Sequence, residues 1–236
     1  MAIHKTSPLL CELHAHTTWS DGDLTVRELC DLYGGRAFDV LAVTDHTTRE
    51  PAEHVCGGNF ADYLAEVERE AARALRLYGL LVIPGLELTY DDPDPSRAAH
   101  AVAVGLRGFV DVAAGLEFAL AAARAHGAAL VAAHPYTPAA ARAGSRCTAA
   151  FAARPDELGS LVDRFELFNR ETLFGWVADA GAPAVASGDF HRPEHLPGWK
   201  TLLPCPKNEA AVVAYLRSAR PAYLACVGAA AAPLAA

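Results

Sequence analysis

Short apolar runs alternate with longer amphipathic stretches through most of this chain of 236 residues. The runs are rich in Val, Leu and Ile and have the length of buried strands. They cover residues 9–13, 40–44, 80–86, 101–104, 130–133, 165–168 and 184–186. Strands that alternate with helices favour an α/β architecture with a mainly parallel sheet. Seven strands in a chain of this length fit a small barrel better than an open sheet.

The amphipathic stretches between the runs are predicted helices, and four of them end at a glycine. They cover residues 26–33, 60–78, 113–126 and 172–180, and Gly34, Gly79, Gly127 and Gly181 follow them. Glycine is expected just past a helix because it enters the left-handed region without a Cβ penalty. A last helix and a short strand are predicted within 207–226, before a frayed tail at 228–236. No repeat or linker marks a second domain, so we predict one domain over 1–236.

One connection departs from the alternation. Pro93 and Pro95 interrupt the segment between Glu87 and His100, and proline opposes a crossover helix there. Two strands joined without a crossover should be antiparallel. The sequence therefore predicts that Glu87 lies beside His100.

Composition narrows the class of protein. The formal net charge is −8, and no run of Lys or Arg could follow a nucleic-acid backbone, which argues against an extended nucleic-acid partner. The six cysteines are scattered without a CxxC pair, as in reduced cytoplasmic proteins. No apolar segment has the length of a membrane span. We expect a cytoplasmic protein, and the sequence leaves its oligomeric state open.

Histidines and carboxylates cluster where the predicted strands end. His14 and His16 follow the first run two residues apart, a spacing that points both imidazoles to one side of an extended chain. The further candidates of this kind are Asp21, His46, Glu87, His100, His134, Asp189 and His191. Residues at the carboxyl ends of strands converge on one face of an α/β barrel. Mixed imidazole and carboxylate ligands suit zinc, manganese or iron.

These stretches resemble the PHP (polymerase and histidinol phosphatase) family of metal-dependent phosphoesterases. The matching segments are His14-Ala-His16-Thr-Thr-Trp-Ser-Asp21-Gly22, Thr44-Asp45-His46, Pro84-Gly85-Leu86-Glu87, His100 followed by Ala-Val-Ala-Val-Gly105, His134-Pro135 and Gly188-Asp189-Phe190-His191. They stand in family order between residues 9 and 191. The resemblance implies a distorted (β/α)7 barrel and hydrolysis of a phosphate ester of a small metabolite or nucleotide.

The resemblance also implies two or three divalent ions and a ligand set for each. The first ion takes His14, His16, Glu87 and Asp189; the second takes Glu87, His100 and His134; the third takes Asp21, His46 and His191. Glu87 bridges the first two, and with Asp189 it is the carboxylate expected to matter most for catalysis. Some members have a histidine where Asp21 stands. Asp45 is predicted to orient a liganding imidazole through its other nitrogen.

A phosphate substrate also needs basic groups at the rim of the site. Arg170 follows the sixth run, Arg192 adjoins His191, and Lys200 lies in a predicted loop with Trp199. These three are the candidate phosphate clamp. His195 is a further candidate, as a proton donor to the leaving group.

Two other classes of function stay open. Amidohydrolase-type C–N hydrolases also begin with HxH at a first strand, but many bridge their metals with a carboxylated lysine. None of Lys5, Lys200 and Lys207 follows a predicted barrel strand at the required place. A non-catalytic metal-binding module is the other alternative, and the complete ligand set argues against it.

Overall fold

One curled sheet carries the fold, and helices cover its outer face. The computed structural model describes residues 7–49, 54–136 and 148–228. The strands are β1 Leu9–Glu12, β2 Val40–Val43, β3 His46–Thr47, β4 Leu81–Tyr90, β5 Ala99–Val104, β6 Ala129–Ala133, β7 Arg164–Asn169, β8 Thr172–Leu173, β9 Ala184–Ser187, β10 Gly198–Leu203 and β11 Tyr223–Val227. The helices are α1 Val26–Gly35, α2 Phe60–Tyr78, α3 Leu116–Ala125, α4 Ala150–Ala153, α5 Pro155–Leu158, α6 Gly175–Asp179 and α7 Glu209–Leu216.

The sheet is mixed. Its central strand β5 is reversed, which places a histidine at the start of β5 beside the carboxyl ends of the neighbouring strands. The strand order is β11-β10-β1-β2-β4-β5-β6-β7-β8, with β3 beside β4 and β9 beside β7. β5 runs antiparallel to both β4 and β6, and His100 at its start pairs with Thr89 and Ala133 near the ends of those strands. The predicted antiparallel connection is confirmed. The first residues of β5 therefore lie beside the last residues of β4 and β6.

The sheet curls until distant strands meet. The His16 N–H donates to the Phe190 carbonyl at 2.8 Å, and the Phe190 N–H donates to the His14 carbonyl at 3.1 Å. The Thr201 hydroxyl joins β10 to β9 through both backbone groups of Ala186. The predicted α/β class is thus confirmed as a curled half-barrel sheet, whereas the full (β/α)7 barrel stays a prediction.

Apolar side chains fill both faces of the curled sheet. The inner face carries a buried cluster that includes Leu13, Val131 and Val185, and α7 adds Val212 and Leu216 to it. The outer face packs against the helices in a second, larger cluster. Helix α7 covers the end of the sheet where the parallel strands begin, near Arg164 at the start of β7. The other end, where these strands finish, is free of this helix and carries polar side chains.

Several elements differ from the sequence expectation. Thr172 and Leu173 form strand β8 rather than the start of a helix, which covers only Gly175–Asp179. Residues around Lys200 form strand β10 between β1 and β11 rather than a loop. Helix α1 continues through Gly34, where a Cβ would come within 2.5 Å of the Tyr78 ring, so this glycine permits close packing of α1 on α2. By contrast, Gly79 lies at φ 67° and ends α2 as predicted.

Some expectations concern residues outside the described ranges. The described cysteines are free: Cys11, Cys30, Cys56, Cys205 and Cys226. Cys147 lies outside the described residues, as does the predicted frayed tail from residue 229 onward. No helix within the described ranges has both the length and the apolar character needed to cross a membrane.

Candidate metal centre

All nine predicted ligands come together at the edge of the sheet where the parallel strands end. Three groups within this set have ligand atoms close enough to share an ion. The groups are His16, Asp21, His46 and His191; His14, Glu87 and His134; and His14, His16 and Asp189. His14, His16 and Glu87 are completely buried.

Four ligand atoms, from His14, His16, Glu87 and Asp189, form a cage between β1, β4 and the segment after β9. His14 Nε2 lies 3.5 Å from both Glu87 Oε2 and Asp189 Oδ1. His16 Nε2 lies 3.5 Å from Glu87 Oε2 and 3.4 Å from Asp189 Oδ1. Ligands bonded to one tetrahedral divalent ion lie about 3.3–3.6 Å apart, as follows from bonds of about 2.0–2.2 Å. The four distances match that value.

Two nitrogen atoms of this cage have no hydrogen-bond partner among the described residues. They are Nε2 of His14 and Nε2 of His16, both fully buried. A buried polar atom without a partner destabilises a fold unless something binds it. A cation at the centre of the cage would bind both nitrogens, so the residues present fit a metal ion.

Glu87 divides its two oxygens between neighbouring positions. Oε2 faces His14 and His16, and it also lies 2.7 Å from His46 Nδ1. Oε1 lies 3.1 Å from His100 Nδ1 and 3.1 Å from His134 Nε2. His100 turns its Nε2 to Asp91 at 3.1 Å. This is the arrangement that a carboxylate bridging two ions requires.

The third predicted position is more open than the others. Asp21 Oδ1 lies 3.3 Å from His191 Nε2 and 3.5 Å from His46 Nε2. The Asp21 side chain is 49% exposed, so this position faces the solvent. His46 is held in place by Thr89, whose hydroxyl oxygen lies 2.7 Å from His46 Nδ1.

The electrostatics of the pocket keep its carboxylates ionised. Burial alone would raise the pKa of Glu87, but the imidazoles of His46, His14 and His100 hold that pKa well below its usual value. Burial opposes ionisation of Asp189 in the same way, and its histidine neighbours, His14 first, keep its pKa well below the usual value. Metal ligands must be ionised carboxylates or neutral imidazoles. Both carboxylates already meet that condition.

The imidazoles respond differently to the same surroundings. Burial, helped by nearby His46, lowers the pKa of His16 to about 3, so His16 is neutral. Burial also disfavours charge on His14 and His46, but the carboxylates around them prevail, led by Glu87. They raise the pKa of His14 well above its usual value and that of His46 to about 10. A metal must therefore displace protons from these two side chains.

Sequence reasoning missed Glu166, the partner of His14. The Glu166 carboxylate is buried and lies 2.9 Å from His14 Nδ1. A carboxylate in this place orients the imidazole and leaves Nε2 for the metal. Its signal in the sequence is a single acidic residue within the apolar run 165–168.

The prediction that Asp45 orients a liganding imidazole directly was wrong, because its hydrogen-bond partners are Thr17 and Ser20. Its carboxylate accepts from the Thr17 N–H at 2.7 Å, the Thr17 hydroxyl at 2.8 Å and the Ser20 hydroxyl at 2.7 Å. Asp45 thus fixes the loop after β1, and Ser20 in turn lies 3.5 Å from His16 Nδ1. Asp45 therefore supports His16 only indirectly, through the loop that carries Thr17 and Ser20.

Two of the three predicted clamp residues line a second cavity beside the metal centre. The main cavity, of about 320 Å³, lies over the predicted ligands and is lined by His46, His100 and His134 among others. The second cavity, of about 290 Å³, shares Asp21 and His191 with it. Arg170 Nη2 donates to Asp189 Oδ2 at 2.8 Å, and Arg192 Nε donates to His195 Nε2 at 3.1 Å.

His195 is a poor proton donor in this setting. Burial and the nearby guanidinium groups of Arg170 and Arg192 lower the pKa of His195. Its imidazole is therefore neutral near neutral pH. The lowered pKa counts against a role in protonating the leaving group.

Lys200 is not at the rim, which corrects the third clamp prediction. Its side chain is completely buried inside the curled sheet, and Nζ lies 2.7 Å from Glu12 Oε2. Side chains of a strand alternate between the two faces, and the place of Lys200 in β10 points it inward. It therefore cannot reach a substrate at the mouth of the site.

Comparisons with known proteins agree with the fold. No family model matches the sequence. The sequence is 30% identical to the DNA polymerase/3'-5' exonuclease PolX of Bacillus subtilis over 90 residues. That match spans 34% of this chain and only 15% of PolX.

Three solved structures resemble most of the chain. A two-domain protein of Bacteroides vulgatus containing a predicted PHP-like metal-dependent phosphoesterase matches with a TM-score of 0.65 and 16% identity, over 97% of this chain and 70% of that one. A predicted metal-dependent phosphoesterase of Bifidobacterium adolescentis matches with a TM-score of 0.51 and 18% identity, over 77% and 87%. An amidohydrolase of Chromobacterium violaceum with bound sulfate matches with a TM-score of 0.50 and 16% identity, over 78% and 88%.

At these identities the likeness concerns the fold. The chain has the fold of PHP-like metal-dependent phosphoesterases. The resemblance to the PHP family found in the sequence motifs is confirmed at this level.

Proposed function

We propose that this chain is a metal-dependent phosphoesterase that hydrolyses the phosphate ester of a small metabolite or nucleotide at a di- or trinuclear site. The cage of His14, His16, Glu87 and Asp189 carries the proposal. Its four imidazole–carboxylate distances of 3.4–3.5 Å lie in the range expected between two ligands of one divalent ion. Its two imidazole Nε2 atoms are buried and have no hydrogen-bond partner among the described residues.

The other ligands extend this centre to a second and a third position. Glu87 with His100 and His134 would hold the second ion, and Asp21 with His46 and His191 the third. Zinc, manganese and iron all suit these donors. Bound ions would supply a water whose pKa is lowered toward neutrality and would neutralise charge on the phosphoryl oxygens.

The remaining residues would bind and orient the substrate. Arg170 and Arg192 line the cavity beside the metal centre, where guanidinium groups can hold phosphate oxygens in a bidentate manner. Glu166 and Thr89 hold the imidazoles of His14 and His46 in fixed orientations. The main cavity of about 320 Å³ has room for a small substrate.

A metal analysis combined with a substrate screen tests the proposal. We expect the purified protein to contain zinc, manganese or iron by elemental analysis. It should hydrolyse p-nitrophenyl phosphate, bis(p-nitrophenyl) phosphate or a nucleotide, and a strong chelator should abolish the activity. Cyclic amides belong in the same screen because one structural neighbour is an amidohydrolase. Metal-dependent cleavage of amides alone, or a metal-loaded protein without any hydrolysis, would contradict the proposal.

A further inference from the structure

Glu166 contacts residues that belong to two different metal positions. It lies in β7, and its side chain is 1% exposed. Oε1 lies 2.9 Å from His14 Nδ1 and accepts from the Ser187 hydroxyl. Oε2 accepts from the His134 backbone N–H at 2.7 Å and from Asn169 Nδ2 at 2.9 Å. Four donors therefore occupy the lone pairs of this carboxylate, which leaves it no capacity to bind an ion itself.

The bond to His14 decides which nitrogen of that imidazole can face a metal. A carboxylate with this set of partners can only accept, so His14 Nδ1 must carry the proton. Nε2 is then the nitrogen from which a metal would displace the proton, and it points into the cage, 3.5 Å from Glu87 and 3.5 Å from Asp189. Glu166 thus fixes both the tautomer and the direction of a ligand of the first position.

The bond to His134 acts on the backbone of a ligand of the second position. His134 has φ 29°, a left-handed conformation that side-chain-bearing residues rarely adopt. Its N–H is held by Glu166, and its carbonyl accepts from the Thr148 hydroxyl at 2.7 Å and the Tyr136 N–H at 2.8 Å. Strained residues persist where the surroundings hold them on several sides. This conformation carries His134 Nε2 to 3.1 Å from Glu87 Oε1.

We propose that Glu166 is a positioning residue that couples the first two metal positions: one rigid carboxylate holds a ligand of each and so sets the spacing of the two ions. The inference rests on the proposed metal centre. It goes beyond the ligand set because Glu166, whose oxygens are taken up by four donors, would not bind either ion. Removing this carboxylate should release His14 and His134 together, and the ions should lose their common geometry.

Manganese binding to the full chain tests this inference without using activity. We expect the wild type to bind at least two equivalents of Mn²⁺ by calorimetry and to give the EPR spectrum of an exchange-coupled pair. Glu166→Gln keeps the size of the side chain but replaces one acceptor oxygen with a donor. It should weaken Mn²⁺ binding by about 10- to 100-fold, as loss of an outer partner of a metal ligand does, and remove the coupled signal. Glu171→Gln, two residues beyond β7 and exposed, is the matched control and should leave both unchanged.

A second variant protects the test against misfolding. Glu166→Asp keeps the charge and both oxygens, but it is one methylene too short to reach His14 and His134 at once. It should bind Mn²⁺ with a weakened or lost coupled signal even if Glu166→Gln does not fold by circular dichroism. A wild-type coupled signal and wild-type affinity in either folded variant would overturn the inference alone. A wild type that binds no Mn²⁺ would overturn the inference, and one that binds no zinc or iron either would overturn the proposed function with it.

Discussion

At the scale of single residues, Glu87 has the densest set of polar neighbours. Its carboxylate lies within 3.5 Å of nitrogens of His14, His16, His46, His100 and His134. A fully buried carboxylate stays ionised only where such partners offset the cost of burial. Because Glu87 would serve two of the proposed positions, its loss should affect both.

We therefore expect Glu87→Gln to lower metal content and to reduce kcat by more than about 100-fold, the upper end of what loss of an outer-shell partner costs. Asp45→Asn is the matched control, since Asp45 is equally buried but bonds to Thr17 and Ser20. Elemental analysis and steady-state kinetics decide the matter. Full metal occupancy with near-normal turnover in Glu87→Gln would show that another group bridges the ions.

The two arginines of the second cavity should differ in their effect on the metals. A charge-assisted hydrogen bond to phosphate contributes about 1.5–3 kcal/mol, or roughly ten- to more than a hundredfold in kcat/KM. Arg170→Ala and Arg192→Ala should both lose activity by this order. Arg170→Ala should also weaken metal binding, because Arg170 donates to Asp189. Arg170→Lys should recover only part of the activity, since the planar fork is lost. Unchanged kinetics in both alanine variants would remove the arginines from the substrate site.

At the scale of elements, a buried ion pair joins three strands beneath the metal centre. Glu12 at the end of β1 pairs with Lys200 of β10, and Glu12 Oε1 also accepts from the N–H groups of His14 and Gly188. The Tyr33 hydroxyl of α1 donates to Glu12 Oε2 at 3.0 Å. The pair thus holds the ends of β1 and β9, from which His14 and Asp189 follow.

Breaking this pair should destabilise the fold far more than breaking one at the surface. Lys200→Met leaves the Glu12 charge buried without its cation, which costs about 3–5 kcal/mol. Lys207→Met removes an ion pair of similar length at the surface, in which Lys207 Nζ lies 2.8 Å from Asp39 Oδ1. Both side chains of that pair are about one-third exposed. Its cost should be about 0–1 kcal/mol. Urea denaturation measures both, and equal losses in the two variants would show that the Lys200 pair adds nothing through burial.

The C-terminal helix is held by one buried guanidinium. Arg164 at the start of β7 is 1% exposed, and it donates to the carbonyls of Leu216, Tyr215, Ser218 and Arg220. These carbonyls lie at and beyond the end of α7, where backbone acceptors lack partners within the helix. Arg164 therefore anchors the helix that closes the sheet opposite the metal centre.

At the scale of the whole molecule, metal binding and folding should be coupled. The cage joins β1, β4 and the segment after β9, so an ion bound there connects parts of the chain that are far apart in sequence. A ligand at 100 times its Kd stabilises the folded state by about 2.7 kcal/mol, or roughly 5–10 °C in Tm for a chain of this size.

We expect zinc or manganese to raise the Tm by this order and a chelator to reverse the change. The gain should shrink as the pH falls from about 8 to about 5, because protons compete for His14 and His46. Burial favours their neutral forms, but nearby carboxylates raise both pKa values, that of His46 to about 10. Differential scanning fluorimetry across this pH range measures the effect. A Tm that does not respond to metal at any pH would contradict the coupling.

The sequence predicted the elements better than their boundaries and partners. Apolar runs and glycines after helices are local signals, and they located most strands and the end of α2 at Gly79. Strand β10 was missed because its sequence Gly-Trp-Lys-Thr-Leu-Leu lacks an apolar run at its start. The charged Lys200 side chain can be buried in the sheet because Glu12, 188 positions earlier in the chain, supplies the opposite charge.

By itself, the sequence determined the α/β class, the antiparallel connection forced by Pro93 and Pro95, and the residues placed at strand ends. Each of these follows from neighbours along the chain, through backbone conformation and side-chain periodicity. Only the tertiary structure decided that Glu166 supports His14, that Arg170 pairs with Asp189, and that Lys200 is buried. Such pairings depend on how the sheet curls, which brings together side chains as far as 188 positions apart, and no local pattern encodes that closure.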